Sequence, residues 1–468
     1  MLRPPRLMLL EFNELCPTLL AEFINQGQLP NFQRLHDSSA VFVTDAGEEH
    51  PNLEPWIQWP TVHTGLSFAE HKAFHLGDGR RMQAKGVAQI LSQQGIRVGV
   101  FGSMNLNYRD LNGYHLPDAW DPQGVTQPAG LQPFFDLIAK QVQGSSGSDG
   151  LSKGEQLRFA LCALRNGLSW PTIRGLVRQL ADERRDAELK WRRPSMLDAI
   201  QYDVFRNLNR RFDVRFATMF CNSTAHYQHY YWRNMDPERF TLAPDASDHA
   251  TLREAIVFGY KCMDQLVGRF LKDYPEAILM LCTALSQQPW TDTTKCTFRP
   301  NTFEQFLEFA GISARSVDVK PVMAEEFQLL CKDEAAADST AKSLKGLYLD
   351  NEPLMKVEKS GDALFCGCRL TDPVAADRKI ENRESGQWQS FAELFHMVHA
   401  MRSGRHHPDG VLWVRTGEHY VADAKVSLAD IAPTILAHFD IPQPDSMGGR
   451  PLPLSLNAQL RASAEQIA

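Results

Sequence analysis

Several things are missing from this sequence of 468 residues, and each absence removes a class of protein. No stretch approaches the roughly 20 apolar residues of a transmembrane helix. The opening MLRPPRLMLLEF carries basic residues, but its apolar run is short and leads into a strand, so a secretory leader is not expected. Disulfide and metal-binding cysteine spacings are absent. The nine cysteines are scattered and odd in number. Cys366 and Cys368 would share one face of a strand, but two thiols do not complete a metal site. There is no excess of positive charge. The net charge is −7 and the pI about 6.1, so no global footprint for nucleic acid exists. The basic run from Arg184-Arg185 to Arg192-Arg193 alternates with acids and reads as a solvated helix face. No internal repeats occur. Together these absences suit a reduced, cytoplasmic protein with no membrane span and no nucleic-acid partner.

What is present is concentrated in one stretch, Glu48 to Asp78. Trp56, Trp59, His63, His71 and His75 fall within it, and Thr64-Gly65 lies between them. Polar, aromatic and imidazole groups this crowded line clefts, although a core segment with satisfied histidines would look similar. Around it the chain alternates strands and helices. Leu7–Phe12 is a short apolar run with polar residues after it, and a helical pattern follows through Leu19, Leu20, Phe23 and Ile24. Strand, polar tip and helix make the opening unit of a parallel sheet, where ligands gather at the strand's C-terminal end. Ile96–Phe101, Val214–Phe220 and Ala277–Cys282 are further strands, and Leu252–Leu271 a long helix. From Gln127 to Asp149 the chain is rich in Gly, Pro and Ser and reads as a linker. Leu151–Asn209 is helical throughout. The expected class is therefore α/β, with a mostly parallel central sheet and helices on both faces. Residues 1–126, 210–296 and 403–468 form the core. Residues 127–209 form a linker and helical insertion, and residues 297–402 a small α+β cap that includes a helical run DEAAADSTAKSLKGLYL.

Five segments carry a resemblance. Thr64-Gly65-Leu66-Ser67-Phe68-Ala69-Glu70-His71 is similar to a T-G-x-x-P-x-x-H segment, and "LPN" at Leu29-Pro30-Asn31 follows the first strand. After the Val214 strand come His229, Trp232 and Asp236-Pro237, in the pattern D-x-x-x-H-x-x-W. Thr283-Ala284-Leu285-Ser286 stands where S-D-H-G is expected. The last segment opens at His406 like H-x-P-D-G and ends in Asp430-Ile431-Ala432-Pro433-Thr434-Ile435-Leu436. This order resembles the alkaline phosphatase superfamily, in its type I phosphodiesterase and nucleotide pyrophosphatase branch. The resemblance implies an alkaline phosphatase-like fold and two zinc-like ions held by Asp, His and a nucleophile. Position by position, only His229 and His406 are kept as metal ligands. Asn13 and Ala225 replace Asp, Ala284 and Leu285 replace Asp-His, and the nucleophile position falls on Pro55, beside Glu54.

Apolar side chains cannot ligate a metal, so a two-metal site is not expected. New polar groups nevertheless surround each lost ligand. Glu54, Glu11, His226 and His229 are the candidate acid/base residues. Asn13, Glu14, Trp56, Gln58, His63, Asn222, Ser286 and Gln287 are the candidate substrate contacts. Trp59, Tyr230, Tyr231, Trp232 and Trp290 add ring faces that could stack on sugars. No cofactor is expected, with room for a single divalent metal at His229 and His406. Three readings follow: a metal-independent hydrolase or transferase of a glycan or sugar/phosphate ester, a phosphodiesterase with unusual metal ligands, and a non-catalytic protein that binds a small ligand. Glu54 could alternatively cap the helix behind it.

Overall fold

The computed structural model describes residues 4–121, 123–143, 152–241, 243–244, 250–291, 297–321, 326–375, 377–397 and 403–454. Leu7–Phe12 is the hub of the main sheet, and all six residues are buried. It pairs in parallel with Phe216–Cys221 on one side and Ile278–Cys282 on the other. The order across the sheet is Tyr420–Val421, Ser39–Asp45, Asp409–Arg415, Ile278–Cys282, Leu7–Phe12, Phe216–Cys221, Val98–Phe101 and Gly113–Leu116. Val426–Ser427 also joins Ser39–Asp45. Only Asp409–Arg415 runs against its neighbours. The sheet is thus mixed and mostly parallel, with helices on both faces, as its apolar strands predict.

Alternation along the hub strand sorts the core into two layers. Met8, Leu10 and Phe12 join one cluster, with Phe205, Tyr227, Tyr260 and Phe270 from the helices Arg193–Phe212, Ser223–Met235 and Ala255–Asp273. Leu7 and Leu9 join the other, with Trp59, Val62, Leu91 and Ile435 from Pro55–Thr64, Val87–Gln93 and Ile431–His438. In-register pairing brings the ends of the three central strands to one edge, so Asn13 lies against Asn222.

Two expectations need correction. Gln132–Gln143 is a helix, not linker, because Phe134, Phe135, Ile138 and Ala139 recur at helical spacing and are buried. Residues 144–151, where the Gly/Ser run lies, are outside the described residues. The run beginning at Asp333 does not stay helical to its end. The helix Glu334–Lys345 stops at Gly346, and Leu347–Leu349 pairs as a strand with Lys379–Asn382. That strand belongs to one of two four-stranded antiparallel sheets between Val317 and Ser390, which share a separate apolar core around Phe306, Phe327, Leu344 and Leu364. The eight cysteines among the described residues are free thiols.

Ser223–Met235 and Ala255–Asp273 pack closely because Gly259 has no side chain. A Cβ there would fall within the ring of Tyr227. Gly259→Ala is therefore expected to overpack this contact and to destabilise the protein by about 1–3 kcal/mol. A lowered midpoint in urea denaturation is the measurement, and an unchanged midpoint would show that the two helices separate freely.

Candidate functional site

Past the hub strand the chain turns sharply. Glu14 adopts φ 57°, in the left-handed region that residues with a Cβ rarely occupy. The turn drives its side chain, fully buried, into the gap between two neighbouring elements. On one side is the helix Ser223–Met235, which carries His229. On the other is the strand Ser286–Pro289, which pairs antiparallel with Gly404–His407 and sets His406 opposite Gln287. Glu14 itself bridges to Ser286. Ser403 fastens the two histidine-bearing elements. Its N–H and Oγ donate to the His229 carbonyl, at 3.0 and 2.8 Å, and its Oγ accepts from the Trp232 N–H at 2.9 Å.

The result is a convergent trio. His229 Nε2 lies 2.9 Å and His406 Nε2 3.4 Å from the same carboxylate oxygen, Glu14 Oε2. Gln287 Nε2 donates to that oxygen too, and Asn13 Nδ2 donates to Oε1 at 2.9 Å. Burial by itself would raise the Glu14 carboxyl, but the two imidazoles outweigh it and hold the group well below the ordinary carboxylate range. Burial by itself would lower His406, but Glu14 and then Glu54 raise it to about 9.

The three side chains fit a divalent cation. One ligand atom from each lies within 4.8 Å of the others. Two ligands of a tetrahedral zinc stand about 3.3 Å apart when each is 2.0–2.1 Å from the ion, close to the His406–Glu14 separation. His406 Nδ1 donates to the Leu53 carbonyl at 2.9 Å, the outer hydrogen bond that metal-bound imidazoles make. This leaves Nε2 aimed at a carboxylate, and Nε2 has no hydrogen-bond partner within the protein. A lone pair facing a carboxylate oxygen is repulsive, so this atom needs either a proton or a cation. Two histidines and one carboxylate also leave a coordination position open, as catalytic zinc sites do.

A cleft of about 700 Å³ opens between the core and the antiparallel cap; Glu14, His229 and His406 do not line it, and Glu54 in its wall is the link to them. Glu54, Trp56, His75, Lys72 and Arg81 line its core wall, and Phe365, Gln328 and Lys356 its cap wall. His75 stacks on Phe365 at 3.9 Å across it. Glu54 connects cleft and trio, with Oε2 3.4 Å from His406 Nδ1. It occupies the N-cap position of Pro55–Thr64, yet its side chain makes no capping hydrogen bond.

The other expected residues divide. Asn13 is a structural joint: its Oδ1 accepts from Trp59 Nε1 at 2.9 Å, and its Nδ2 donates to Asn222 Oδ1 at 2.8 Å. Ser286 and Gln287 are buried beside Glu14. Trp56 lines the cleft while its Nε1 donates to the Phe74 carbonyl. Gln58 is buried and donates to the Asn52 carbonyl. His226 sits among Tyr227, Tyr230 and Tyr231, and burial lowers it to about 4, so it is neutral at pH 7. Glu11 and His63 are not part of the cleft. They are fully buried beneath the helix Pro55–Thr64, with His63 Nε2 2.9 Å from Glu11 Oε1, Ser103 Oγ donating to the same oxygen, and Tyr108 3.3 Å from His63 Nδ1. Trp59 and Trp232 are core residues and offer no ring face to a sugar. Ser103, Tyr108 and Ser403 had no signal in the sequence, because a single serine or tyrosine far along the chain betrays nothing until the fold brings it near.

No family model matches the sequence, and no curated protein matches it. Among solved structures, murine ectonucleotide pyrophosphatase/phosphodiesterase 5 is similar at 8% identity and a TM-score of 0.40, over 94% of this chain and 96% of that chain. An inactive variant of the murine protein in complex with AMP gives 0.41 at 8% identity over the same shares. The human counterpart gives 0.39 at 9% identity, over 96% of this chain and 97% of that one.

The trio makes a binding prediction. Protein stripped with chelator should take up one Zn²⁺ per chain, not two, in calorimetric titration. His406 must give up its proton, so roughly one proton should leave per ion at pH 7, and affinity should rise about tenfold per pH unit up to pH 9. His229→Ala and His406→Ala should each abolish uptake. Without an ion, the His406 charge stabilises the fold fully below pH 6.5, and this is lost as pH rises through about 9. The Glu14 charge contributes above pH 4.5 and is lost as pH falls. Ion-free protein should thus be favoured most by this trio between those two limits.

Proposed function

We propose that this chain is a hydrolase of small phosphate esters that uses one divalent ion at Glu14, His229 and His406, with Glu54 as the acid/base of the adjoining cleft. The convergence of the three ligand atoms is the observation that carries the reading. The retained histidines of the alkaline phosphatase-like pattern are two of the three, and Glu14 supplies the third from a position one residue beyond the replaced Asp.

A bound ion would supply a water of lowered pKa and polarise an ester oxygen. The chain's own groups do the rest. Gln287 and Asn13 fix the Glu14 carboxylate by donating to its two oxygens. The Leu53 carbonyl fixes the His406 ring, with Nδ1–H outward and Nε2 inward. Glu54, partly exposed and next to Trp56 in the cleft wall, can hand a proton to a leaving oxygen and recover it from solvent. The cleft lining carries Lys72, Arg80, Arg81 and Lys356 against Glu54, Asp78, Glu326 and Glu358, and Lys72 and Arg81 are the cations of the core wall that an anionic substrate group could meet. A glycosidic mechanism with two carboxylates needs both to face one space. Glu11 lies in a separate buried pocket, so that pair is not available.

Activity on bis(p-nitrophenyl) phosphate, p-nitrophenyl phosphate and p-nitrophenyl glycosides, with and without added Zn²⁺ or Mn²⁺, tests this. Ion-dependent cleavage of a phosphate ester is expected. Glu54→Gln should lower kcat by about 10²-fold or more while Tm holds, and His406→Ala should remove the ion dependence altogether. Cleavage that survives chelation, or glycoside cleavage alone, would defeat the metal reading. An unchanged rate in folded Glu54→Gln would take Glu54 out of the chemistry.

A further inference from the structure

We propose that the outer faces of two helices of the insertion, Lys153–Arg165 and Trp170–Arg185, dock on an anionic lipid bilayer surface. Both helices carry large apolar side chains on their outer as well as their inner faces. Trp170–Arg185 buries Thr172, Gln179 and Glu183 and exposes Trp170 (74%), Val177 (61%) and Leu180 (55%). The inward face is held by polar contacts. Gln179 Nε2 donates to Glu183 and to the Leu189 carbonyl, and Arg193 pairs with Glu183 at 2.7 Å. Lys153–Arg165 buries Cys162 and Ala163 and exposes Leu157, Leu161 and Leu164, which share one face at i, i+4, i+7. Phe159 and Leu176 anchor the two helices to the core, so the six large apolar side chains directed to solvent from these consecutive helices are surplus to folding and mark a surface that is covered in use.

Charge selects the occupant. Between Ser152 and Arg193 the sequence has ten Lys or Arg against five Asp or Glu, an excess of five positive charges in a chain of net −7. The cations sit among the exposed apolar residues. Arg174 and Arg178 lie between Trp170 and Leu180, and Arg158 and Arg165 flank the leucines. A second copy of this chain packed by two-fold symmetry would bring these cations against themselves. Nucleic acid would use the cations but leave the Leu, Val and Trp side chains without a partner. A bilayer with anionic headgroups satisfies both at once. Apolar residues enter the acyl boundary, Trp lies at headgroup level, and long basic side chains reach back to the phosphates. This inference is independent of the ion at Glu14.

Flotation of the full chain with vesicles of phosphatidylcholine alone, and mixed with phosphatidylglycerol, is the experiment. Binding to the anionic vesicles only is expected, weakening as NaCl is raised. Arg174→Gln with Arg178→Gln should lower the partition coefficient roughly tenfold to thirtyfold. Trp170→Ala with Val177→Ser and Leu180→Ser should lower it at least about tenfold. Circular dichroism and the thermal midpoint report that these variants remain folded. Failure of the wild-type chain to float with anionic vesicles overturns the proposal, as does equal flotation by the triple variant or equal binding to neutral vesicles. A dimer in sedimentation velocity that the triple variant dissolves, with no vesicle binding, would assign the face to a second copy. Tight binding to an RNA or DNA duplex without vesicle binding would assign it to nucleic acid.

Discussion

A single buried carboxylate holds the centre of this protein together. Glu14 has no exposure, yet it is charged, and an isolated buried charge costs several kcal/mol. It is tolerated because four neighbours converge on it: Asn13, His229, Gln287 and His406. These neighbours come from the tip of the hub strand, the helix after Phe216–Cys221, and both strands of the small antiparallel pair. Removing Glu14 would therefore do more than empty a site. It would leave two imidazoles facing each other, at 5.4 Å between ring centres, with one held charged by the carboxylate now gone. Segments hundreds of residues apart meet at this one oxygen, and the left-handed turn at Glu14 is the backbone distortion that lets them do so.

Much of the architecture was legible in the sequence, and the reason is periodicity. The hub strand, its two parallel partners and the long helices are continuous apolar patterns, and parallel pairing fixes which edge collects their polar ends. His229 and His406 were legible through the short segments around them. The role of Glu14 was not. Pattern matching places the carboxylate ligand at position 13, and nothing in the letters says that residue 14 turns back through positive φ. Glu11 was misplaced for a simpler reason. It shares the strand face of Leu7 and Leu9, and alternation sends it under the Pro55–Thr64 helix beside His63, away from the cleft. The helical insertion shows the opposite error. Its basic run reads as an ordinary solvated face, and only burial shows that Leu157, Leu161, Leu164, Trp170, Val177 and Leu180 point out while Gln179 and Glu183 point in.

The replaced ligands also look different once their contacts are known. An aspartate at position 13 would set a second carboxylate 2.9 Å from Glu14 Oε1, where Asn13 now donates a hydrogen bond. It would lose the other donation as well, that from Nδ2 to Asn222 Oδ1. Like charges at that distance raise one pKa strongly, and the low pKa of Glu14 could not survive it. Asn13 is thus the partner a carboxylate at position 14 requires, with Trp59 holding its amide in the one orientation that donates. Ala225 follows the same logic. Its small side chain is buried, and its carbonyl accepts from Gln287 Nε2 at 3.2 Å while the same amide reaches Glu14. A larger acidic residue there would compete for that amide and add charge to a pocket already balanced by two histidines. The residues at 13, 14, 225 and 287 are mutually consistent around one carboxylate. Each of these residues supports the buried charge that the others need.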